Sequence, residues 1–303
     1  TNLDFGYLNG YFSKYIFCNA PIAGYNQNMQ VIKSTGEKEL FDKEKLCSSL
    51  EHSGAPKELA KTVCESISSE IDPDITTSNI YRKALSYLIK EDLTLAAVYS
   101  LRKAVSALGP AGFIFERYIA TILESYGYKT KLNQIMKGAC IEHEVDVAAE
   151  KEDTHFLVEA KYHNEQGIRT HVPVVMYAYA RLLDIEEAEN KKERNKFDHK
   201  MWVITNTKFT DTAVRYAKCR SIKITGWNYP EGDSLEDMIV KNKLFPVTVL
   251  PSVDKDVLDI FSKNNIMLAQ DIILFNPKTI HEKFGIEKQL AEQIYKEAIT
   301  MTK

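Results

Sequence analysis

The chain has 303 residues, with 39 Lys and Arg against 42 Asp and Glu for a formal charge of −3, and 44% hydrophobic against 27% charged residues. At roughly 100–200 residues per domain this length predicts two or three domains, and the composition excludes wholesale disorder, a fibrous repeat and the strongly basic signature of a non-specific nucleic-acid coat. No run approaches the ~18 apolar residues of a membrane helix and the start lacks a secretory signal's basic-then-apolar order, so a cytoplasmic protein without a membrane partner is expected.

Residues 1–28 show neither a helical nor a strand period and read as an N-terminal extension, with Met29 a natural start. The five cysteines, Cys18, Cys47, Cys64, Cys140 and Cys219, contain no CxxC pair, which predicts reduced, mostly buried thiols rather than a disulfide framework or zinc site. From Gln30 the pattern predicts a hairpin of residues 30–33 and 38–41 around Ser34-Thr35-Gly36. Four helices follow. Asp42 is the expected N-cap of the first, which buries Leu46 and Leu50 and stops near Ser53-Gly54. Leu59, Val63 and Ile67 mark the second helix, and Ile80, Ala84 and Leu88 the third, capped from Thr77 or Ser78. Residues 95–108 form the fourth, and Gly109-Pro110 closes a unit spanning 29–108.

A second unit, 109–230, opens with a helix over 112–126 whose Phe115, Ile119, Ile122 and Tyr126 share a face and which ends at Gly127. Strands 144–150 and 155–161 read as a hairpin, followed by a helix over 174–184, a polar loop over 186–200 and a buried strand over 201–205. A helix over 210–218 and a strand over 222–225 complete an alternating α/β pattern. Residues 231–303 form a small helical unit punctuated by Pro246, Pro251 and Pro277. The expected fold is therefore multidomain α/β: a hairpin with four helices, a central α/β domain and a C-terminal helical domain.

The residues that carry chemistry begin with Asp146 and Glu159-Ala160-Lys161. A turn through Lys151-Glu152-Asp153-Thr154 sets Asp146 opposite Glu159, where Cβ atoms lie about 4.5–5.5 Å apart and like charges repel unless a cation intervenes. Lys161 points to the same face because strand side chains alternate, and Val145, Val147, Val158 and Ala160 line the opposite, buried face. Two carboxylates, a lysine and room for waters describe a Mg²⁺ (or Mn²⁺) site for phosphodiester hydrolysis, with Asp146 and Glu159 as ligands. The residues alone leave open a solvated hairpin face. His143 and His163 flank the cluster, as proton carriers or as ordinary packing residues; Arg169 and Lys208 are candidate phosphate contacts.

The run Gly112-Phe113-Ile114-Phe115-Glu116, then Glu142-His143-Glu144-Val145-Asp146-Val147, Val158-Glu159-Ala160-Lys161 and Thr205-Asn206-Thr207-Lys208-Phe209-Thr210 resembles an Mrr-type restriction endonuclease domain over residues 109–230. The resemblance implies that Asp146 and Glu159 hold the metal, that Lys161 is catalytic, and that Glu116 adds a carboxylate. It also implies DNA as substrate, with RNA left open, and a homo-oligomer.

In the first unit Val31, Lys33, Lys38 and Lys45 place an apolar contact beside three ammonium groups, either a triphosphate clamp or a basic hairpin in water. The run from Val31 to Leu46 followed by four helices resembles an ATP-cone domain, which implies ATP or dATP as a regulatory ligand touching Val31, Lys33, Lys38, Phe41, Lys45 and Arg102. Ser34 stands where many ATP-cones carry an arginine. No GxxxxGK[ST] sequence occurs, so nucleotide is expected as a signal rather than as fuel. Phe284-Gly285-Ile286 ahead of a helix resembles half of a helix-hairpin-helix unit, for phosphate contact or for packing. The expectation is a nucleotide-regulated, metal-dependent endonuclease; the alternative is a non-catalytic nucleotide sensor that binds nucleic acid or protein through a nuclease-like fold.

Overall fold

The computed structural model describes residues 29–33, 36–72, 74–108, 112–165, 167–190 and 198–302. The expected N-terminal extension, the Ser34-Thr35 turn and the Gly109-Pro110 boundary lie outside them.

Strands β1 (Gln30–Ile32) and β2 (Lys38–Leu40) pair antiparallel, and Gly36 at φ 85° takes the left-handed conformation of their turn, open to a residue without Cβ. Helices α1 (Lys43–His52), α2 (Lys57–Ser69), α3 (Thr77–Glu91) and α4 (Leu93–Ser106) follow. The Asp42 carboxylate accepts the Lys45 N–H at 3.0 Å, a cap that contributes about 1 kcal/mol, and Leu46 and Leu50 are buried as expected. Helix α3 is capped by Thr76, not by Thr77 or Ser78. A bridge to Ile32 holds Thr76 extended, and its hydroxyl accepts the Asn79 N–H at 3.1 Å. Helix α4 starts at Leu93 because Asp92 accepts the N–H groups of Thr94 and Leu95.

The cysteine expectation needs correction. Packing of α1 on α2 brings Cys47 and Cys64 to a Cα separation of 5.7 Å and they are disulfide-paired, while Cys140 and Cys219 are exposed. A search for close sequence spacings does not register residues 17 apart on two facing helices.

Helix α5 (Gly112–Ser125) leads into β3 (Lys129–Lys137), β4 (Glu142–Lys151), β5 (Thr154–Lys161) and β6 (Arg169–Thr170), then α6 (Val172–Asn190), β7 (Asp198–Thr205), β8 (Lys208–Phe209), α7 (Asp211–Cys219) and β9 (Lys223–Thr225). The main sheet has the order β3-β4-β5-β7-β9. Its first three strands are antiparallel, and β5, β7 and β9 run parallel, joined by crossovers through α6 and α7. β3 lies outside the sequence expectation although its burial alternates residue by residue along its length. Of the expected polar loop over 186–200, residues 191–197 lie outside the described residues and both ends are regular structure. Residues 186–190 continue α6, whose Ile185 and Ala188 stay buried while Glu187 is exposed and Glu189 meets the buried His199 at 2.9 Å, and residues 198–200 begin β7.

The sheet is covered on both faces. Val147, Val158, Ala160, Trp202 and Ile204 pack with α5, whereas Leu157, Met201, Val203 and Ile224 pack under α6 and α7. The C-terminal helices α8 (Leu235–Lys241), α9 (Lys255–Lys263), α10 (Ala269–Ile272), α11 (Pro277–Phe284) and α12 (Lys288–Thr302) share the α5-side core. Two bonds tie them in, a buried one from the Tyr118 hydroxyl to the Leu244 carbonyl at 2.7 Å and a half-buried one from the Thr248 hydroxyl to the Ala104 carbonyl at 2.8 Å. Among the described residues no helix is long and apolar enough to cross a membrane.

Candidate functional site

The β4–β5 ladder runs from Lys151–Thr154 to Val147–Val158, the register expected from the turn. One step further the Asp146 side chain itself accepts the Ala160 N–H at 2.7 Å. A carboxylate thus occupies the place of the next backbone rung, which splays β4 from β5 and opens the end of the sheet. The alternation expected for the buried face holds for Val147, Val158 and Ala160, which join the α5-side core; Val145 is buried on the α6 side instead. The break coincides with Asn133 at φ 50°, across β3 from Asp146 between the paired Leu132–Val147 and Gln134–Val145.

Glu159, on β5, accepts from Nη1 of Arg181 of α6 at 2.7 Å, and the two side chains are only 16% and 10% exposed. The Arg181 guanidinium also lies 5.1 Å from the Tyr177 ring, and its buried Nε has no acceptor among the described residues. Burial, followed by the charge of Glu159, pushes the Asp146 carboxyl up to about 7, with Glu116 adding to the rise and the Ala160 N–H and Arg181 opposing it. Burial and the charges of Glu144 and Glu159 raise Glu116 on α5 as well. Lys161 ends β5, half-buried, beside its register partner Thr205 of β7.

This is a cluster of hard oxygen donors in which burial, followed by neighbouring negative charge, makes Asp146 and Glu116 hold their protons more tightly than in water. A divalent cation relieves the same repulsion. Among the described residues no three Asp, Glu, His or Cys side chains converge on one point, and the charge of Glu159 acts on Asp146, a pair of carboxylates. That set suits Mg²⁺, which is commonly bound through one or two carboxylates and keeps several waters. The donors present therefore fit the expected metal.

Sequence reading missed Arg181 and Glu144. Arg181 sits in a helix with apolar residues on several faces, so no pattern sets it apart; Glu144 lies two residues before Asp146 and was legible as a further acid on the same strand. The flanking histidines have structural partners. His143 meets Asp184 at 2.8 Å, and that bond, with the Cys140 and Ile141 N–H groups, draws Asp184 down to about 2. His163 is fastened through its backbone, its N–H donating to Asn206 and its carbonyl accepting from it, at 2.9 and 2.7 Å. Arg169 and Lys208 are exposed register partners on β6 and β8, a local pair of cations.

The nucleotide candidates divide. Val31 is buried in the first unit's core with Phe41 against it. Lys33 pairs with Glu39 at 3.0 Å, Lys38 with Asp74 at 2.7 Å, and Lys45 lies 3.8 Å from Asp42. Arg102 is elsewhere, in a cavity of about 400 Å³ that none of those five residues lines. Tyr81 and Tyr99 stack there with centroids 5.2 Å apart, and the Lys103 ammonium lies 4.4 Å from the Tyr81 ring centroid. An aromatic pair beside two cations suits a base and a phosphate; Tyr81, Tyr99 and Lys103 were missed because their side chains meet only through α3–α4 packing.

Comparison with known proteins matches three stretches of the chain to known families. Residues 29–106 match the ATP cone domain family, residues 111–235 a restriction endonuclease family, and residues 245–301 the AF1548-like C-terminal family. An uncharacterized protein of Archaeoglobus fulgidus is 36% identical over 180 residues, covering 59% of this chain and 97% of that protein. The crystal structure of AF1548, a protein of unknown function, is similar with a TM-score of 0.50 and 34% identity, over 62% of this chain and 96% of that one.

Proposed function

The chain belongs to the AF1548-like family, with an ATP-cone domain and a restriction endonuclease domain ahead of the AF1548-like C-terminal region, and we propose that it is a metal-dependent endonuclease that hydrolyses DNA phosphodiester bonds under the control of ATP or dATP. The observation that carries the reading is the crowding of Asp146, Glu159 and Glu116 ahead of Lys161, a charge arrangement that costs folding energy in the absence of a cation.

Asp146 and Glu159 are the residues that would hold Mg²⁺ or Mn²⁺. Bound there, such an ion supplies charge neutralisation at the phosphate and a water of lowered pKa. The Ala160 N–H fixes one Asp146 oxygen and leaves the other for the ligand role. Arg181 orients Glu159 and compensates its charge. The Lys161 ammonium orients the attacking water or offsets charge on the phosphate oxygens, and Glu116 orders water from the α5 side. Arg169 and Lys208 grip the DNA backbone beside the scissile bond. A dimer in which each copy cuts one strand is the assembly this reading implies.

On the regulatory side, Arg102 and Lys103 take the nucleotide phosphates in the cavity. The hairpin lysines join them only by leaving their present carboxylate partners.

The test is cleavage of supercoiled plasmid by the full chain in Mg²⁺ or Mn²⁺, with and without ATP or dATP. Cutting by wild type, lost in Lys161→Ala and altered by nucleotide, is the expected result. A wild type that cuts neither modified nor unmodified DNA under any nucleotide contradicts the catalytic reading and favours a binding module.

A further inference from the structure

The cavity that holds Arg102 has walls from two domains. Tyr81, Tyr99 and Lys103 come from α3 and α4; Glu165, Asn206 and Thr207 come from the segments that follow β5 and β7. β5 is the strand that carries Glu159 and Lys161. The cavity therefore borders the carboxyl end of the sheet, within a few residues of the proposed catalytic lysine.

The two residues after Lys161 are both held by groups that line this cavity. The Tyr162 hydroxyl donates to the backbone carbonyl of Ser106, a cavity residue in the last turn of α4, at 2.5 Å. Its ring lies 5.3 Å from that of Phe115, the residue before Glu116. His163 is clamped through its backbone N–H and carbonyl by Asn206, whose side chain is all but fully buried. Asn206 in turn follows Thr205, the register partner of Lys161. A shift of the last turn of α4 thus reaches Lys161 through one side chain, and a shift of the Asn206 wall reaches it through the next.

We infer that the nucleotide site is composite, one wall belonging to the ATP-cone and the other to the nuclease domain, and that Tyr162 is the positioning residue through which a nucleotide in it sets the geometry of Lys161 and Glu159. The inference rests on the functional reading above. The phosphates draw Arg102 and Lys103, which lie one turn before Ser106 on the same helix, and the Ser106 carbonyl moves with that turn. The Tyr162 hydroxyl transmits the movement to the strand end, while its ring keeps β5 seated on α5. Two sites coupled this way bias each other equally, so nucleotide alters metal affinity by the factor by which metal alters nucleotide affinity.

The experiment compares the full-length wild type with Tyr162→Phe, which removes one oxygen and keeps the ring on Phe115. Calorimetric titrations measure Mn²⁺ binding with and without saturating ATP or dATP, nucleotide binding alone, and plasmid cleavage under the same conditions. In wild type, nucleotide is expected to change Mn²⁺ affinity by about fivefold or more, the lower end of allosteric coupling, and to change the cleavage rate in step. In Tyr162→Phe both nucleotide effects are expected to fall below twofold, with metal-free nucleotide binding and nucleotide-free cleavage close to wild type.

A Tyr162→Phe protein with its nucleotide effects intact overturns the inference. So does a wild type whose Mn²⁺ affinity ignores nucleotide, or one that binds none. Coupled Mn²⁺ and nucleotide binding without any cleavage supports the inference and overturns the nuclease reading instead, so the two failures are distinguishable. Tyr162→Leu, which also removes the aromatic contact, serves as a packing control: loss of nucleotide-free cleavage in Leu but not Phe assigns seating to the ring and coupling to the hydroxyl.

Discussion

The carboxylate end of the main sheet and the lysine hairpin at the start of the chain are opposite ways of arranging charge. At the sheet end, Asp146, Glu159 and Glu116 lie within reach of one another's charge beside the Arg181 guanidinium, and burial followed by this repulsion lifts Asp146 to about 7. On the hairpin and the first turn of α1, Lys33, Lys38 and Lys45 each already lie within reach of a carboxylate on the surface. Both regions look like ligand sites as strings of residue types. A cation would relieve the charge at the first, whereas a phosphate at the second would have to displace carboxylates already in place.

The largest expected effect sharpens the comparison at the sheet end. Lys161→Ala and Asp146→Asn should each lower plasmid cleavage by at least about a hundredfold, the scale of removing a group that acts on the reacting atoms, whereas Lys38→Ala should leave nucleotide-free cleavage unchanged. Equal losses in all three would dissolve the distinction. Next in size is the Arg181–Glu159 pair. Arg181→Met leaves a buried carboxylate unmatched and should destabilise the metal-free protein by about 3 kcal/mol, read from chemical denaturation, with part of the loss recovered in Mg²⁺ because the cation takes over the compensation.

Asp146→Asn should move stability the other way. The folded carboxyl titrates near 7, above its ~3.9 in the unfolded chain, so the folded state holds the proton more tightly. The stability this gives the neutral form is complete below the unfolded value and disappears as pH rises through about 7. At pH 8 the metal-free Asn variant should therefore exceed wild type by about 1–2 kcal/mol, a figure reduced for the remaining solvent access. Near pH 4 the gap should close. A variant both more stable and inactive is the signature of a strained functional group; equal stability at both pH values would remove the strain from the account.

The smallest effects belong to the cations. Arg102→Ala and Lys103→Ala should weaken ATP binding about tenfold each, as loss of a charge-assisted phosphate contact does, while Lys33→Ala changes it less than threefold. The reverse order would return the triphosphate to the hairpin.

The β4–β5 hairpin and its carboxylate-bearing face were legible because alternation and a short polar turn fix register without help from the rest of the chain. The four helices of the first unit were legible from their apolar spacing and from the Asp42 cap. What escaped depends on tertiary meeting points. Arg181 reaches Glu159 from a helix that enters the sequence after it, Tyr81 meets Tyr99 only when α3 packs on α4, and Cys47 meets Cys64 only across α1 and α2. Strand β3 was left unassigned for a different reason: its lysines and Asn133 interrupt the apolar run that marks a strand, although charged side chains are how exposed edges are protected from further pairing.

The most direct test of the charge argument is a Mn²⁺ titration of wild type and Asp146→Asn by calorimetry at pH 8 and pH 6. The account predicts a site in wild type that binds more weakly at pH 6, with release of a proton on binding, and no corresponding heat in Asp146→Asn at either pH. Equal binding in both proteins, or a wild-type affinity indifferent to pH, would contradict it.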